Sequence, residues 1–449
     1  MKKKNNSEKI VLALLFVFLL AIRLYPAYTN EYLKGSDSWY HLERARSMLD
    51  GDFFYDSRNA GGAVSAYTPF FHLIIIPVHF FPDPVAAAKF FGPLLGFLGA
   101  VAFFMFARKI MGYKESLVAT FVFGTAVEIV NTAMFLAPVN LAFIFMFLAL
   151  FFALDDEKSG GKFYLSTLFA SLLALMHPLT FIMFIIFALV FLDHKVLKFI
   201  SIPITVFVLW IVFSAAIVAQ TSIILSNPLP LERYFFGVSA LAFAFAVIGI
   251  RKAQPKLSLL FALLTSYSLL VVFYPDRVFT YSVIAVALLA GMGFADLYHK
   301  ISQHYRFILM IFLLISAIPV FDYGYAKTEM RGEDKSVLDW IKNNTEQDAT
   351  IAASWQVSGA WMPYAAERKN ILGAFQESVA DYQERRRDLA VVFSSGDKEK
   401  IIETMRKYNA TYIFVNKMED DALYKGSIKR FSDMFTEVDG NDYAHLYKI

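Results

Sequence analysis

Residues 31–49 read "EYLKGSDSWYHLERARSML" and follow directly on an apolar run of about 20 residues, the length that crosses a bilayer. An acidic residue (Asp37), two aromatic residues (Trp39 and Tyr40) and a histidine (His41) therefore lie just beyond a predicted membrane span. Such side chains at the end of a span either anchor the chain at the bilayer surface or form a functional site. The rest of the sequence supplies the context for this stretch.

The composition is that of a membrane protein. Of 449 residues, 57% are hydrophobic and only 18% are charged, whereas soluble domains carry roughly a quarter of charged residues. The net charge of +3, with no basic tract interleaved with aromatics, is too small to indicate a nucleic-acid partner, and none is expected. The chain has no cysteine, so disulfides, zinc–thiolate sites and thiol catalysis are excluded.

Apolar stretches recur along the first 321 residues and predict a mainly α-helical, polytopic transmembrane bundle of about eleven spans. The predicted spans are 9–28, 85–108, 115–131, 133–154, 162–177, 179–193, 198–219, 234–250, 257–274, 278–297 and 306–321. Lys and Arg concentrate in alternate connectors, which predicts a cytoplasmic N-terminus and an extracytoplasmic C-terminal tail. Residues 67–84 are apolar but short and bracketed by prolines, which favours an interfacial or re-entrant helix.

From about Asp322 the sequence changes to that of a soluble domain. Amphipathic helical segments such as "SVLDWIKNN" and "DKEKIIETMRKY" alternate with short apolar strands such as "ATIAAS" and "ATYIFVNK". This alternation predicts a small extracytoplasmic α/β domain. The predicted domains are 1–321, the transmembrane domain, and 322–449, the soluble domain.

Several stretches resemble one family in the same order along the chain. The loop "GSDSWYHLERARSML", followed by "AYTPFFHLIII", resembles the first external loop of oligosaccharyltransferase catalytic subunits, above all the archaeal ones, in the GT-C superfamily of membrane glycosyltransferases. "SNPLPLERYF" resembles a later external loop and places Glu232 at that loop's acidic residue. "YPDRVFTYSVIAVALLAG" resembles the late helix that carries the lipid-diphosphate arginine and places Arg277 there.

The chain departs from this family at two motifs. Where the family has Trp-Trp-Asp-Tyr-Gly, "WQVSG" keeps only Trp355 and Gly359, and Val357 replaces the aspartate. In the family, this stretch binds the hydroxyl of the acceptor's Ser or Thr. Where the family has a second acidic motif, this chain has Pro138 and Asn140.

The resemblance implies transfer of a glycan from a polyprenyl (dolichyl) phosphate or diphosphate carrier to a protein or lipid acceptor on the outer face. Arg277 suits the clamp on the phosphate leaving group, because a guanidinium holds two phosphate oxygens in fixed geometry; alternatively it snorkels to the interface. Asp37 suits the activating carboxylate, or it caps a helix. Glu232 supplies a second carboxylate, or it pairs with Arg233.

A divalent cation, Mg²⁺ or Mn²⁺, would take oxygen ligands from Asp37, Glu232 and Asn140. His41 and His177 are predicted to bind phosphate or transfer protons, or else to bond to the backbone. Trp39 and Tyr40 contact substrate or form an interfacial aromatic belt.

Three alternative functions stay open. One is a transferase that uses a lipid-phosphate monosaccharide and a non-sequon acceptor. The others are a polytopic transporter or flippase and an inactive scaffold.

Overall fold

The structure is a computed structural model, and it falls into two compact units. The described residues are 2–53, 55–56, 58, 60, 62–64, 69–154, 160–192, 200–209, 239–253, 255–270, 275–318, 329–354, 357–373 and 381–449. Unit 1 comprises Met1–Thr29, Phe90–Trp210 and Ile223–Ala326. Unit 2 comprises Asn30–Lys89, Ile211–Ser222 and Lys327–Ile449. The predicted domain boundary at 321/322 lies outside the described residues.

Unit 1 is helical throughout its described part. Its helices are α1 (Lys2–Thr29), α4 (Pro84–Ile110, within unit 1 from Phe90 on), α5 (Tyr113–Thr125), α6 (Val127–Met134), α7 (Pro138–Ala153), α8 (Gly160–Met176), α9 (Pro178–Leu192), α10 (Ile200–Leu209), α11 (Ala240–Ile250), α12 (Pro255–Leu270), α13 (Pro275–Lys300) and α14 (Gln303–Ile315).

Three of these helices are long and apolar enough to cross a membrane: α1 over Asn6–Thr29, α4, and α13 over Arg277–Lys300. The pair α5–α6, bent by 58°, is long enough if it counts as one broken span. The remaining apolar helices of unit 1 are 10–17 residues long. A membrane protein with a mainly helical fold is therefore confirmed, whereas the number of eleven spans stays a prediction.

Glycine allows two helices of unit 1 to pack backbone to backbone. A Cβ added at Gly249 of α11 would collide with the carbonyl oxygen of Leu289 on α13. A Cβ added at Gly293 would likewise collide with the carbonyl oxygen of Phe245. Small residues permit this close approach, which is how helices gain van der Waals contact where no hydrophobic effect drives them together. The small-residue end of "AVALLAGMGF" thus fixes the packing of α13.

Unit 2 combines an N-proximal loop region with the C-terminal α/β region. The loop region contains α2 (Ser36–Leu49), the two-residue strands β1 (Tyr55–Asp56) and β2 (Ala63–Val64), and α3 (Phe70–Ile75), which continues as a 3₁₀ turn to Phe80. The eleven-residue helix 70–80 is too short to span a bilayer. The sequence prediction of a short helix at this place is confirmed, and its interfacial position stays a prediction.

The C-terminal part of unit 2 is a five-stranded mixed sheet of order β4-β3-β5-β7-β6 with helices. Its elements are α15 (Gly332–Asn344), β3 (Thr350–Ala352), β4 (Lys369–Asn370), α16 (Tyr382–Ser394), α17 (Lys398–Lys407), β5 (Ala410–Asn416), α18 (Lys417–Ala422), α19 (Ser427–Met434), β6 (Thr436–Gly440) and β7 (Ala444–Lys448). Strand β3 is parallel to β4 and β5, whereas β7 is antiparallel to β5 and β6. The sequence predicted the helices α15, α16 and α17 and the strands β3 and β5, but not β4, the helices α18 and α19 or the β6–β7 hairpin.

Candidate functional site

Asp37 lies in the first turn of α2 and is half-buried. The residue before the helix is Gly35, whose φ of 76° is in the left-handed region, and the helix start has no side-chain capping bond. Asp37 is therefore not the helix cap that the sequence offered as an alternative. A carboxylate in the first turn is stabilised by the positive end of the helix dipole.

Asp37 shares its part of unit 2 with an amine and a second carboxyl group. Burial raises the pKa of Glu329, and the negative charge of Asp37 raises it further. Burial lowers the pKa of Lys34 to about 8, and the charge of Glu329 opposes that shift. The sequence analysis missed Glu329, because "KTEMRGEDK" looks like an ordinary charged linker.

The aromatic and histidine residues of α2 point into unit 2. Trp39 is 1% exposed and its ring lies 5.8 Å from that of Tyr364. Nδ1 of His41 is 2.9 Å from Nε2 of His72, and both rings are buried. Tyr40 packs edge-on against His41 at 5.3 Å. These residues form an interior layer and not an exposed belt, and their predicted contact with substrate stays a prediction.

Arg46 connects α2 to the segment after β3. Its guanidinium donates to the carbonyl of Pro363 at 2.7 Å and lies 4.5 Å from the ring centroid of Tyr364. It also forms ion pairs with Glu43 on its own helix and with Glu367. The segment 361–367 is thereby held on α2. In the sequence, "LERARS" looks like an ordinary exposed helix face, so this role was missed.

The loop that resembles the family's acceptor motif is only partly described, because Trp355 lies outside the described residues. Gly359 is buried, its N–H donates to the carbonyl of Ser354 at 2.6 Å, and a Cβ there would meet that oxygen at 2.8 Å. Close backbone approach therefore explains the glycine. The N–H of Ser358 donates to Oε1 of Glu419 at 3.0 Å. Burial raises the pKa of Glu419 to about 7.

His177 and Arg277 both belong to unit 1 and interact electrostatically. His177 connects α8 to α9, and Arg277 is exposed in the first turn of α13. The charge of Arg277 acts on both His177 and Tyr281. Nδ1 of His177 accepts from the backbone N–H of Thr180 at 3.2 Å and lies 2.7 Å from its hydroxyl oxygen. The hydroxyl oxygens of Thr180 and Tyr281 are 2.5 Å apart, so the N-terminal parts of α9 and α13 lie close together. Two helix starts with a guanidinium on one of them suit an anion.

The predicted metal ligands do not form a complete set in the described part of the chain. Glu232 lies outside the described residues. The amide nitrogen of Asn140 donates to the carbonyls of Thr132 at 3.0 Å and Phe135 at 2.8 Å, which ties α7 to the end of α6. Among the described residues, no three His, Asp or Glu side chains could hold a metal ion.

No protein-family model and no curated protein sequence matches this chain. Its fold is similar to that of the archaeal oligosaccharyltransferase AglB from Archaeoglobus fulgidus, solved with an inhibitory peptide and a dolichol-phosphate. That match has 12% identity and a TM-score of 0.70, and it covers 95% of this chain and 71% of that one.

Two further solved structures are similar. The Archaeoglobus fulgidus oligosaccharyltransferase in complex with Zn and sulfate has 12% identity and a TM-score of 0.66, covering 96% of this chain and 72% of that one. ArnT from Cupriavidus metallidurans, bound to undecaprenyl phosphate, has 13% identity and a TM-score of 0.65, covering 97% of each chain. The chain therefore has the fold of GT-C membrane glycosyltransferases, as the sequence motifs predicted.

Proposed function

We propose that this protein is a membrane glycosyltransferase that moves a glycan from a polyprenyl phosphate or diphosphate, of the dolichyl type, to a protein or lipid acceptor. The observation that carries the proposal is the hydrogen-bonded link from His177 through Thr180 to Tyr281, one helical turn after Arg277 on α13, within a GT-C fold. The comparisons give no support to the transporter, flippase or scaffold alternatives.

Arg277 and His177 suit the leaving group. When the acceptor attacks the anomeric carbon, the bond between that carbon and the phosphate oxygen breaks, and its electron pair stays on the phosphate. A guanidinium stabilises this charge through two N–H donors, and the positive ends of two helices add to the effect. A neutral imidazole supplies one more N–H donor.

Asp37 suits activation of the acceptor. Its carboxylate accepts the proton that the attacking group loses when it bonds to the anomeric carbon. Burial and the negative charge of Asp37 both favour the protonated form of the nearby Glu329.

We also propose a divalent cation, although the described residues supply only some of its ligands. Asp37 and Glu232 would hold Mg²⁺ or Mn²⁺, which would neutralise phosphate charge. The carbonyl oxygen of Asn140 is a further candidate, because its amide N–H groups make the bonds to the backbone. The described residues supply an incomplete donor set, so no step above depends on the ion.

The proposed topology has the N-terminus in the cytoplasm and eleven spans, with the catalytic groups and residues 322–449 outside. The alternation of basic connectors supports it. In this arrangement, the remaining site predictions (Trp39, Tyr40, His41, Trp355 and Gly359) belong to the extracytoplasmic side.

The test is transfer activity with lipid-linked sugars extracted from cells grown on radiolabelled glucose. We expect Arg277→Ala to lower transfer about 10²–10³-fold, as loss of a charge-stabilising donor does. We expect Asp37→Asn to lower it about 10²–10⁴-fold, as loss of a general base does. Arg251→Ala, at an exposed turn of unit 1, is the matched control. Full activity of both site variants at normal expression would refute the proposal.

A further inference from the structure

We infer that Thr180 and Tyr281 are positioning residues that fix the tautomer and orientation of His177, so that Nε2–H is the group offered to a phosphate oxygen. This inference rests on the proposed function, in which His177 and Arg277 bind the phosphate of the carrier. It adds two residues to which the sequence analysis gave no role, since a threonine and a tyrosine in apolar helices look like ordinary packing positions.

The hydrogen bonds have a definite direction. Nδ1 of His177 accepts the backbone N–H of Thr180, so this nitrogen carries no proton and the ring proton is on Nε2. The hydroxyl of Thr180, 2.7 Å away, then donates to the same lone pair. Because the Thr180 hydroxyl donates its only hydrogen to His177, its oxygen accepts from the hydroxyl of Tyr281 at 2.5 Å. The chain runs from Tyr281 through Thr180 to His177.

Burial makes this chain rigid. Thr180 is 0% exposed and Tyr281 is 2% exposed, so bulk water does not compete for their hydroxyls. The ring of Tyr281 packs edge-on against Phe143 at 5.6 Å, which fixes the phenol from the side. Among the described residues, Nε2 of His177 makes no hydrogen bond, and it remains the donor for a ligand.

The charge of Arg277 complements the chain. Arg277 and Tyr281 are four residues apart on α13 and therefore lie on the same helix face. The imidazole of His177 is neutral, because Nδ1 accepts a hydrogen bond and an imidazolium has no acceptor nitrogen. His177 thus adds a directional donor to the site of Arg277 without a second full charge.

A purely structural role explains only part of these contacts. His177 precedes Pro178, and its bond to the Thr180 N–H is that of a helix cap on α9. A cap needs no hydroxyl from another helix. The bond from Tyr281 on α13 satisfies a buried phenol hydroxyl and also directs the hydrogen of Thr180 toward His177, so it holds the ring in one orientation.

The test measures binding of dolichyl phosphate and undecaprenyl phosphate to the full-length protein in detergent, with dolichol as the phosphate-free control. We expect Tyr281→Phe and Thr180→Val to raise Kd for the phosphates about three- to tenfold, the value of one buried hydrogen bond. Thr180→Ser, which keeps the hydroxyl, should bind like the wild type. Tyr298→Phe, a tyrosine near the other end of α13, is the matched control.

The decisive comparison repeats Tyr281→Phe in a His177→Ala background. If Tyr281 acts through His177, the substitution has no further effect there. An equal loss in both backgrounds, or no loss in the wild type, would overturn the inference. If Arg277→Ala also leaves phosphate binding unchanged, then the proposed function has failed as well. If Arg277→Ala weakens binding and Tyr281→Phe does not, only the positioning role is wrong.

Discussion

Glu419 makes the stability of unit 2 depend on pH in a way that one substitution removes. Glu419 is 0% exposed and its carboxyl group accepts from the N–H of Ser358. The backbone N–H of Glu419 donates to Oδ1 of Asn416, whose amide nitrogen donates to Asp334. The nearby Asp334 also has a raised pKa, about 6, because of burial. Substitution of Glu419 by Gln keeps an oxygen acceptor for Ser358 and abolishes ionisation.

The size of the effect follows from the pKa. The pKa of Glu419 is about 7 in the folded chain, against an ordinary value of 4.5. This pKa difference corresponds to about 3 kcal/mol in the free energy of unfolding. Because the folded pKa is raised, the contribution of protonated Glu419 to stability is complete below pH 4.5 and is lost as the pH rises through about 7. At pH 8, Glu419→Gln should therefore be more stable than the wild type by up to about 3 kcal/mol, whereas near pH 4 the two should be nearly equal.

Tryptophan fluorescence during urea unfolding of the detergent-solubilised chain is a suitable assay. Four of the five tryptophans (Trp39, Trp340, Trp355 and Trp361) belong to unit 2. The control is Glu403→Gln, at an exposed position on α17. Parallel pH profiles of Glu419→Gln and the wild type between pH 4 and pH 8 would show that this carboxyl group does not ionise in the stated range.

Two further predictions concern the cation and the topology. EDTA should lower transfer at least about tenfold and Mn²⁺ or Mg²⁺ should restore it, since a cation that neutralises phosphate contributes several kcal/mol; an unchanged rate would remove the ion from the mechanism. Because the chain has no cysteine, Ser7→Cys and Glu399→Cys each create a single thiol. A membrane-impermeant maleimide applied to intact cells should label only the second, and the reverse pattern would invert the topology.

The sequence predicts what depends on local pattern. Long apolar runs indicate helices, and alternation of helices and short apolar strands predicted the C-terminal region up to β5. The GT-C fold was predicted from motif order, even though motifs such as "WQVSG" keep only two residues of the family pattern. These signals depend on neighbours in the chain, so no tertiary information is needed to detect them.

The contacts that join distant segments could not be predicted. His41 and His72 are 31 residues apart, and Thr180 and Tyr281 are 101 apart, so no periodicity relates them. Glu329 and Glu419 look like surface charges, because carboxylates are usually solvated and only burial in the folded chain changes their pKa. The assignment of single polar residues to roles therefore requires coordinates.

The order of synthesis has a consequence for unit 2. Its N-proximal loop bonds to residues that emerge from the ribosome more than 300 residues later: the N–H of Ala60 donates to the carbonyl of Asn370, and Arg385 donates to the carbonyl of Ala60. The strand Ala444–Lys448 lies between β5 and β6, so the sheet is complete only after this strand has been made. The loop therefore forms its native bonds only after more than 300 further residues have been synthesised, and until then its polar backbone groups depend on water or on other partners.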